Sequence, residues 1–263
     1  MLFPEIPVGG RLVHFFPKWE EITNDKWVLA IIQNGYKLEF LQKPPFLGVK
    51  KTFVNVTNLE LLKQEVKNLL EKDAVEIVQK THIQTGFYST LFLVEKKNGK
   101  LRPVINLRPL NQYLKKQHFK MDTMTKVLNL VKKGDWACSL DLQDAYLHVP
   151  IFPKHRKYLR FAIDETVYQF KVLCFGPTSS PRVFTKIVSV VAAHLRKQGI
   201  RLAVYLDDWL IVDQQKSVLV KNRDTTITLL TSLGFIINTE KSDLMPTQTI
   251  TYIGGLFRLD LGL

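Results

Sequence analysis

The stretch AVYLDDWLIV, residues 203–212, places two adjacent aspartates between apolar runs. Ala203 to Leu206 reads as a buried strand and Trp209 to Val212 as its return partner. Asp207 and Asp208 then fill a two-residue turn that normally takes Asn-Gly or Gly-Gly. Adjacent like charges repel, and a carboxylate beside an apolar core loses hydration. A cation relieves both penalties. A third candidate, Asp141, follows the apolar-edged strand WACSL and precedes the pair by 66 residues. Acids at the ends of neighbouring strands can converge however far apart they lie in sequence. Three carboxylates on one rim suit two Mg²⁺ ions, which prefer hard oxygen ligands; Mn²⁺ accepts the same set. Two such ions about 4 Å apart activate an attacking oxygen and stabilise a leaving one in phosphoryl displacement. Taken alone, strand–DD–strand is weak evidence, since roughly one such match in several is a solvated turn.

The surrounding pattern indicates what positions these acids. Residues 58–75 carry Leu59, Leu62, Val66, Leu69 and Leu70 on one helical stripe, with Asn58 placed as N-cap. Residues 89–107 form a hairpin around Asn98-Gly99, a strong short-range turn signal. A short helix over 124–133 stops at Gly134, and 137–151 is a strand running into a turn or short helix. A hairpin over 157–173 turns at Asp164-Glu165. Helices cover 179–199, with Pro181 in the first turn, and 216–234; each ends in glycine. The last strand is 251–257. Residues 1–56, rich in Pro, Gly and aromatics, read as irregular. The mixture predicts an α+β fold, an antiparallel sheet with helices on one face.

Composition narrows the partner. The chain has 263 residues, 46% hydrophobic and 23% charged, as ordinary folded domains do. Thirty-seven Lys and Arg against 24 Asp and Glu give +13 and a pI near 9.6. Between Val94 and Lys120 lie eight basic residues and one acid, Glu95. That excess suits a polyanion, through phosphate neutralisation, or a merely solvated face. Cys138 and Cys174 lack metal-ligand spacing and read as buried free thiols. No apolar run reaches the roughly 20 residues of a membrane span, so no membrane partner is expected.

The motifs CSLDLQDAYLHVPI, FGPTSSPRVF, YLDDWLIV, GFIINTEKSDL and YIGGLF resemble, in order and spacing, five successive motifs of reverse transcriptases. KKNGKLRPVINLRPLN resembles the basic fingers hairpin before them. The resemblance covers about residues 58–257. The segment 3–40 and the Trp after the DD pair look like retrotransposons of DIRS type, which encode a tyrosine recombinase. This implies a right-hand polymerase of fingers (about 58–120 and 152–190) and palm (about 121–151 and 191–263), with residues 1–57 as an extension wrapping the fingers. It implies RNA-directed DNA polymerase activity on an RNA or DNA template with primer and dNTP. Asp141, Asp207 and Asp208 match metal-binding aspartates, and Leu142 would lend its carbonyl to a metal. Tyr146 matches the position under the incoming sugar, where a ring excludes a 2′-OH; a half-buried core Tyr is the plainer reading. Arg102 and one of Lys96 or Lys97 match residues that grip the triphosphate, and Phe175 and Gly176 fall in the nucleotide-binding motif. Lys241 matches a lysine proposed to protonate departing pyrophosphate, or is a surface lysine. Tyr252, Gly254 and Gly255 resemble the primer grip.

The pattern has departures. Retroviral enzymes carry Gln where this chain has Phe175, although many retrotransposon enzymes have Phe. The sequence stops six residues after YIGGLF, so a thumb and an RNase H domain are expected to be absent and to belong, with the recombinase, to a parent polyprotein. A catalytically silent nucleic-acid-binding fragment is therefore the alternative to a polymerase. A nuclease or cyclase on the same palm layout would leave the fingers hairpin and Tyr146 without a role. Either cytoplasm or nucleus suits such an element.

Overall fold

The computed structural model describes residues 5–96, 99–176 and 179–262. The chain divides into one unit of residues 1–13, 30–117 and 146–180 and another of 14–29, 118–145 and 181–263. Its elements begin with helices α1 (Phe16–Ile22), α2 (Lys26–Asn34) and α3 (Val56–Glu71), then strands β1 (Val75–Ile77), β2 (Thr90–Glu95) and β3 (Leu101–Asn106). Helices α4 (Arg108–Asn111) and α5 (Met124–Leu130) lead to β4 (Trp136–Asp141), β5 (Arg160–Ile163), β6 (Thr166–Phe170) and α6 (Ser180–Lys197). The chain continues through β7 (Arg201–Tyr205), β8 (Asp208–Asp213), α7 (Lys216–Ser232), β9 (Asp243–Thr247), β10 (Thr249–Tyr252) and β11 (Gly255–Arg258).

In the first unit, β1, β6 and β5 form an antiparallel sheet in that order, and β2 pairs with β3. The β5–β6 hairpin turns at Asp164-Glu165 as expected, with Asp164 at φ +51°. The β2–β3 hairpin also forms where Asn98-Gly99 signalled it; Lys97 and Asn98 lie outside the described residues. Helix α3 starts one turn earlier than expected. Its N-cap is Asn55, whose Oδ1 accepts from the Asn58 amide at 2.8 Å, so Asn58 belongs to the helix it was expected to cap.

In the second unit, β7, β8, β4 and β9 form an antiparallel sheet in that order. Strand alternation puts Trp136, Cys138 and Leu140 on one face of β4 and Ala137, Ser139 and Asp141 on the other. Helix α7 lies against β8, β4 and β9, and its Lys216 sits over the Trp136 ring at 4.9 Å. Ala137, Ala203, Leu210 and Val212 of the opposite face pack with Val127 of α5 and with Ile250, Tyr252, Phe257 and Leu259. Each large apolar side chain buried this way stabilises by roughly 1.5–3 kcal/mol. That cluster fixes the β10–β11 hairpin to the sheet.

Three further features depart from the sequence reading. Residues 11–34 are not irregular: a 3₁₀ turn (Arg11–Phe15), α1 and α2 occupy them, whereas 35–55 hold no helix or strand, as expected. Pro17 sits in the first turn of α1, where a missing amide costs nothing. Asp25 Oδ1 accepts from the amides of Trp27 and Val28 at the start of α2. Trp19 is fully buried, and its indole N–H donates to the Leu233 carbonyl at 3.0 Å. The final strand is instead a hairpin, β10–β11, turning at Ile253-Gly254 with both at positive φ (42° and 79°). The DD turn shifts by one residue: Tyr205 pairs with Asp208, so Leu206 and Asp207 form the turn and Asp208 opens β8.

Candidate active site

The strand register brings the three carboxylates together. Asp141 ends β4 directly opposite Asp208, and Asp207 precedes Asp208 in the turn. One oxygen from each of Asp141, Asp207 and Asp208 lies within 4.8 Å of the others, in the only such cluster among the described residues. Leu206 takes φ +53°, a conformation that costs a non-glycine residue about 1–2 kcal/mol.

The main chain beneath the acids is anchored independently of their side chains. The Leu142 amide donates to the Asp207 carbonyl at 3.0 Å, and the Asn238 amide to the Asp141 carbonyl at 2.8 Å. The Asp141 amide donates to Ser242 Oγ at 2.9 Å, and Ser242 in turn donates to the Asn238 carbonyl at 2.6 Å. The buried Tyr252 hydroxyl donates to the Asp208 carbonyl at 2.9 Å, with the Ala203 carbonyl 3.3 Å away.

Electrostatics mark the site as short of positive charge. Burial, then the hydrogen bond with Asp141 and repulsion from Asp207 and Asp141, push the Asp208 carboxyl up to about 7. Burial and then Asp141 raise Asp207. Lys241 pulls both in the opposite direction and is outweighed. Crowded carboxylates of raised pKa gain most from a nearby cation. An all-oxygen donor set fits a hard divalent ion.

A cleft of about 1020 Å³ in this unit is lined by Tyr205, Asp208, Met121, Met124 and Ile253, among others. The aspartate hairpin and the β10–β11 tip thus share one open space. The Met124 side chain lies against Gly255, where a Cβ would meet its flexible Cε at 2.8 Å and displace it.

In the other unit, Arg102, Tyr146, Phe175 and Gly176 come together. The Tyr146 and Phe175 ring centroids are 4.9 Å apart, and the Arg102 guanidinium lies 5.3 Å over Phe175. Phe175 is 56% exposed, which leaves ring area for a ligand. Gly176 sits at φ +127°, with the Ile105 carbonyl 2.9 Å from where a Cβ would be. Lys96 is exposed at the hairpin turn, its amide donating to the Lys100 carbonyl. Lys97 falls outside the described residues.

Reasoning from sequence missed Asn238, Ser242 and the Tyr252 hydroxyl. The first two stand in NTEKS, where only Lys241 drew notice. A lone Tyr in a strand carries no signal of what its hydroxyl meets.

Residues 94–256 match the family model described as reverse transcriptase (RNA-dependent DNA polymerase). The chain belongs to the reverse transcriptase family. It is 26% identical over 246 residues to the putative enzymatic polyprotein of Cassava vein mosaic virus, covering 90% of this chain and 35% of that one. It is 25% identical over 164 residues to the transposon Tf2-3 polyprotein of Schizosaccharomyces pombe, covering 62% of this chain and 12% of that one. The chain therefore spans about a third or less of these relatives. The foamy viral protease-reverse transcriptase solved with double-stranded DNA superposes with a TM-score of 0.71 at 18% identity, over 97% of this chain and 47% of that one. The native Prototype Foamy Virus Protease-Reverse Transcriptase gives 0.66 at 18% identity, over 81% of this chain and 27% of that one. The fold is that of polymerase fingers and palm, and members of this reverse transcriptase family are nucleotidyltransferases.

Proposed function

We propose that this chain extends a primer 3′-hydroxyl with deoxynucleotides on an RNA or DNA template. The observation that carries this reading is the convergence of Asp141, Asp207 and Asp208 at adjacent strand ends in a reverse transcriptase chain. These three aspartates, with the Leu142 carbonyl, would hold Mg²⁺ or Mn²⁺. When bound, such ions stabilise charge on the attacking and leaving oxygens.

The protein's own groups supply the rest. Bonds to the main chain of residues 141, 207 and 208 hold the backbone that carries the ligands. Lys241 gives a proton to the departing pyrophosphate. Arg102, with Lys96 or Lys97, offsets triphosphate charge, since cations on phosphate oxygens are the main device of phosphoryl-transfer sites. Tyr146, braced by Phe175, supports the deoxyribose and excludes a 2′-hydroxyl. The Gly254–Gly255 main chain at the β10–β11 tip receives the primer end. The basic excess holds nucleic acid through phosphates, so sequence is read by base pairing. We assign the fingers to the unit containing β2 and β3 and the palm to the unit containing β4. DIRS-type origin is supported by the segment 3–40 and by Trp209.

Primer extension on poly(rA)–oligo(dT) with Mg²⁺ and dTTP tests this reading, with Asp207→Asn/Asp208→Asn as control. Extension by the wild type alone establishes the polymerase. No extension, with template–primer still bound by both proteins, makes the chain a nucleic-acid-binding module.

A further inference from the structure

His155 stands in a box of three rings. The centroids of Phe40, Phe152 and Tyr158 lie 5.4, 5.5 and 6.0 Å from that of its imidazole, and Phe40 and Tyr158 are 4.9 Å apart. Main-chain bonds hold the box together. The Phe152 amide donates to the Tyr36 carbonyl at 2.9 Å, and the His155 amide to the Phe152 carbonyl at 2.8 Å. On either side of Phe40, the Leu41 amide donates to the Tyr113 carbonyl and the Lys115 amide to the Glu39 carbonyl, each at 2.8 Å. His155 Nδ1 is buried and has no hydrogen-bond partner. An unmet buried N–H is rarer than an unmet lone pair, so the neutral ring carries its proton on Nε2.

Exposed lysines surround this box. Lys37 Nζ lies over the Phe152 ring at 4.7 Å and Lys157 Nζ over the Tyr158 ring at 5.3 Å. Those ring faces hold ammonium groups in place and are closed to a stacked base. Burial, and then Lys37, Lys43 and Lys157, hold the His155 pKa below its usual value, which keeps the ring neutral. The acids beside these residues are engaged. Glu39 accepts from Gln117 Nε2 at 2.6 Å. Glu76 accepts from Gln169 Nε2 at 2.8 Å and faces Arg156 at 3.6 Å.

Three ammonium groups and one imidazole N–H are more donors than a carboxylate, with two oxygens and one charge, can use. An internal phosphodiester offers no more. A phosphate monoester has three free oxygens and a charge of about −1.5 to −2, which matches the set. We propose that Lys37, Lys43, Lys157 and the His155 box form a site for the terminal phosphate of a nucleic acid strand. The net charge of +13 and membership of a family that copies RNA favour nucleic acid as the bearer of that phosphate. A strand that is extended keeps a 3′-hydroxyl, so the monoester falls at a 5′ end. That last placement rests on the polymerase reading; the phosphate site does not.

The test is fluorescence anisotropy with two otherwise identical 3′-labelled oligonucleotides, one with a 5′-phosphate and one with a 5′-hydroxyl. Wild type is expected to bind the phosphorylated strand about fivefold or more tightly, the effect of one charge-assisted contact. Lys37→Ala/Lys157→Ala is expected to lose that preference and to bind the hydroxyl strand as wild type does. Lys67→Ala/Lys80→Ala removes the same charge elsewhere on the surface and should keep the preference. Excess inorganic phosphate should erase it in the wild type. All four lysines are exposed, and matched melting curves verify folding. Equal binding of the two strands by the wild type overturns the proposal, as does a preference that survives in Lys37→Ala/Lys157→Ala. If the strands bind equally while inorganic phosphate raises the melting temperature of the wild type but not of Lys37→Ala/Lys157→Ala, the strand assignment falls and a phosphorylated protein or free phosphate takes its place. A 5′-phosphate preference in a wild type that extends no primer sinks the polymerase reading and leaves the site standing.

Discussion

Strand β4 has an aspartate at each end, and the two ends are built in opposite ways. Asp135, just before the strand, is fully buried and answered by the protein itself. Arg201 grips it with both terminal nitrogens, at 3.0 and 2.9 Å, the Lys132 amide donates at 2.8 Å, and Gln214 donates as well. Burial pushes its carboxyl up, but these bonds outweigh burial and hold it below the usual range. Asp141, at the far end, meets two more carboxylates, and Asp208 beside it is pushed up. Arg201 opens β7 and Asp208 opens β8, so one hairpin supplies the cation at one end and the excess anion at the other. A buried charge meant for structure is paired internally. A cluster of crowded acids short of positive charge suits a cation.

Breaking the open end should have the largest effect on chemistry. Asp207→Asn/Asp208→Asn removes metal stabilisation worth several kcal/mol, so extension should fall by roughly 10³-fold or more. Its melting temperature without metal should not fall, because repulsion is removed along with the ligands. Retained extension would dissolve the contrast.

Breaking the closed end should damage stability. Asp135→Ala leaves Arg201 without its buried partner and should cost about 3 kcal/mol in urea unfolding. Asp135→Leu with Arg201→Met should recover much of that loss. Extension per folded molecule should stay near wild type in both.

A magnesium titration sharpens the contrast. At a hundredfold excess over the dissociation constant, a ligand of the folded state alone stabilises by about 2.7 kcal/mol. Wild type and Asp135→Ala should both gain this in thermal melts, and Asp207→Asn/Asp208→Asn should not.

Acid separates the ends further. Because the folded pKa of Asp135 is depressed, its contribution is fully present above the ordinary value near 3.9 and is lost as pH falls through the lowered one. Stability of the wild type should therefore drop in that range more steeply than that of Asp135→Leu/Arg201→Met.

The smallest effect belongs to Tyr252→Phe. It removes a hydroxyl that donates to the Asp208 carbonyl and creates no cavity, so it should cost about 1 kcal/mol. Extension should slow severalfold, with dNTP affinity unchanged.

The two ends were not equally legible in the sequence. The acid triad was visible because charge between apolar strands is rare and the motif order fixed its company. Asp135 drew no attention, because a single Asp before a strand is ordinary and its partner lies 66 residues away, at Arg201. The DD turn was placed one residue late because Asp is a turn former and Leu is not. Sheet pairing of Asp208 with both Tyr205 and Asp141 overrides that preference and forces Leu206 into the left-handed region. The helices of residues 16–34 were hidden by the Pro, Gly and aromatic content of the segment, although Pro17 begins a helix. The terminal hairpin was hidden because Ile253, a β-branched residue, occupies a positive-φ turn position.

The bonds that hold the main chain of residues 141, 207 and 208 do not pass through the three carboxylates. The backbone that carries the ligands is therefore in place by virtue of the fold, and only side-chain rotation is left when an ion arrives. Cation uptake at such a receptor is limited by the ion shedding its own water, not by a conformational search. Magnesium should accordingly tighten amide exchange only around residues 141–143 and 206–209, and leave the far-UV circular dichroism of the protein unaltered.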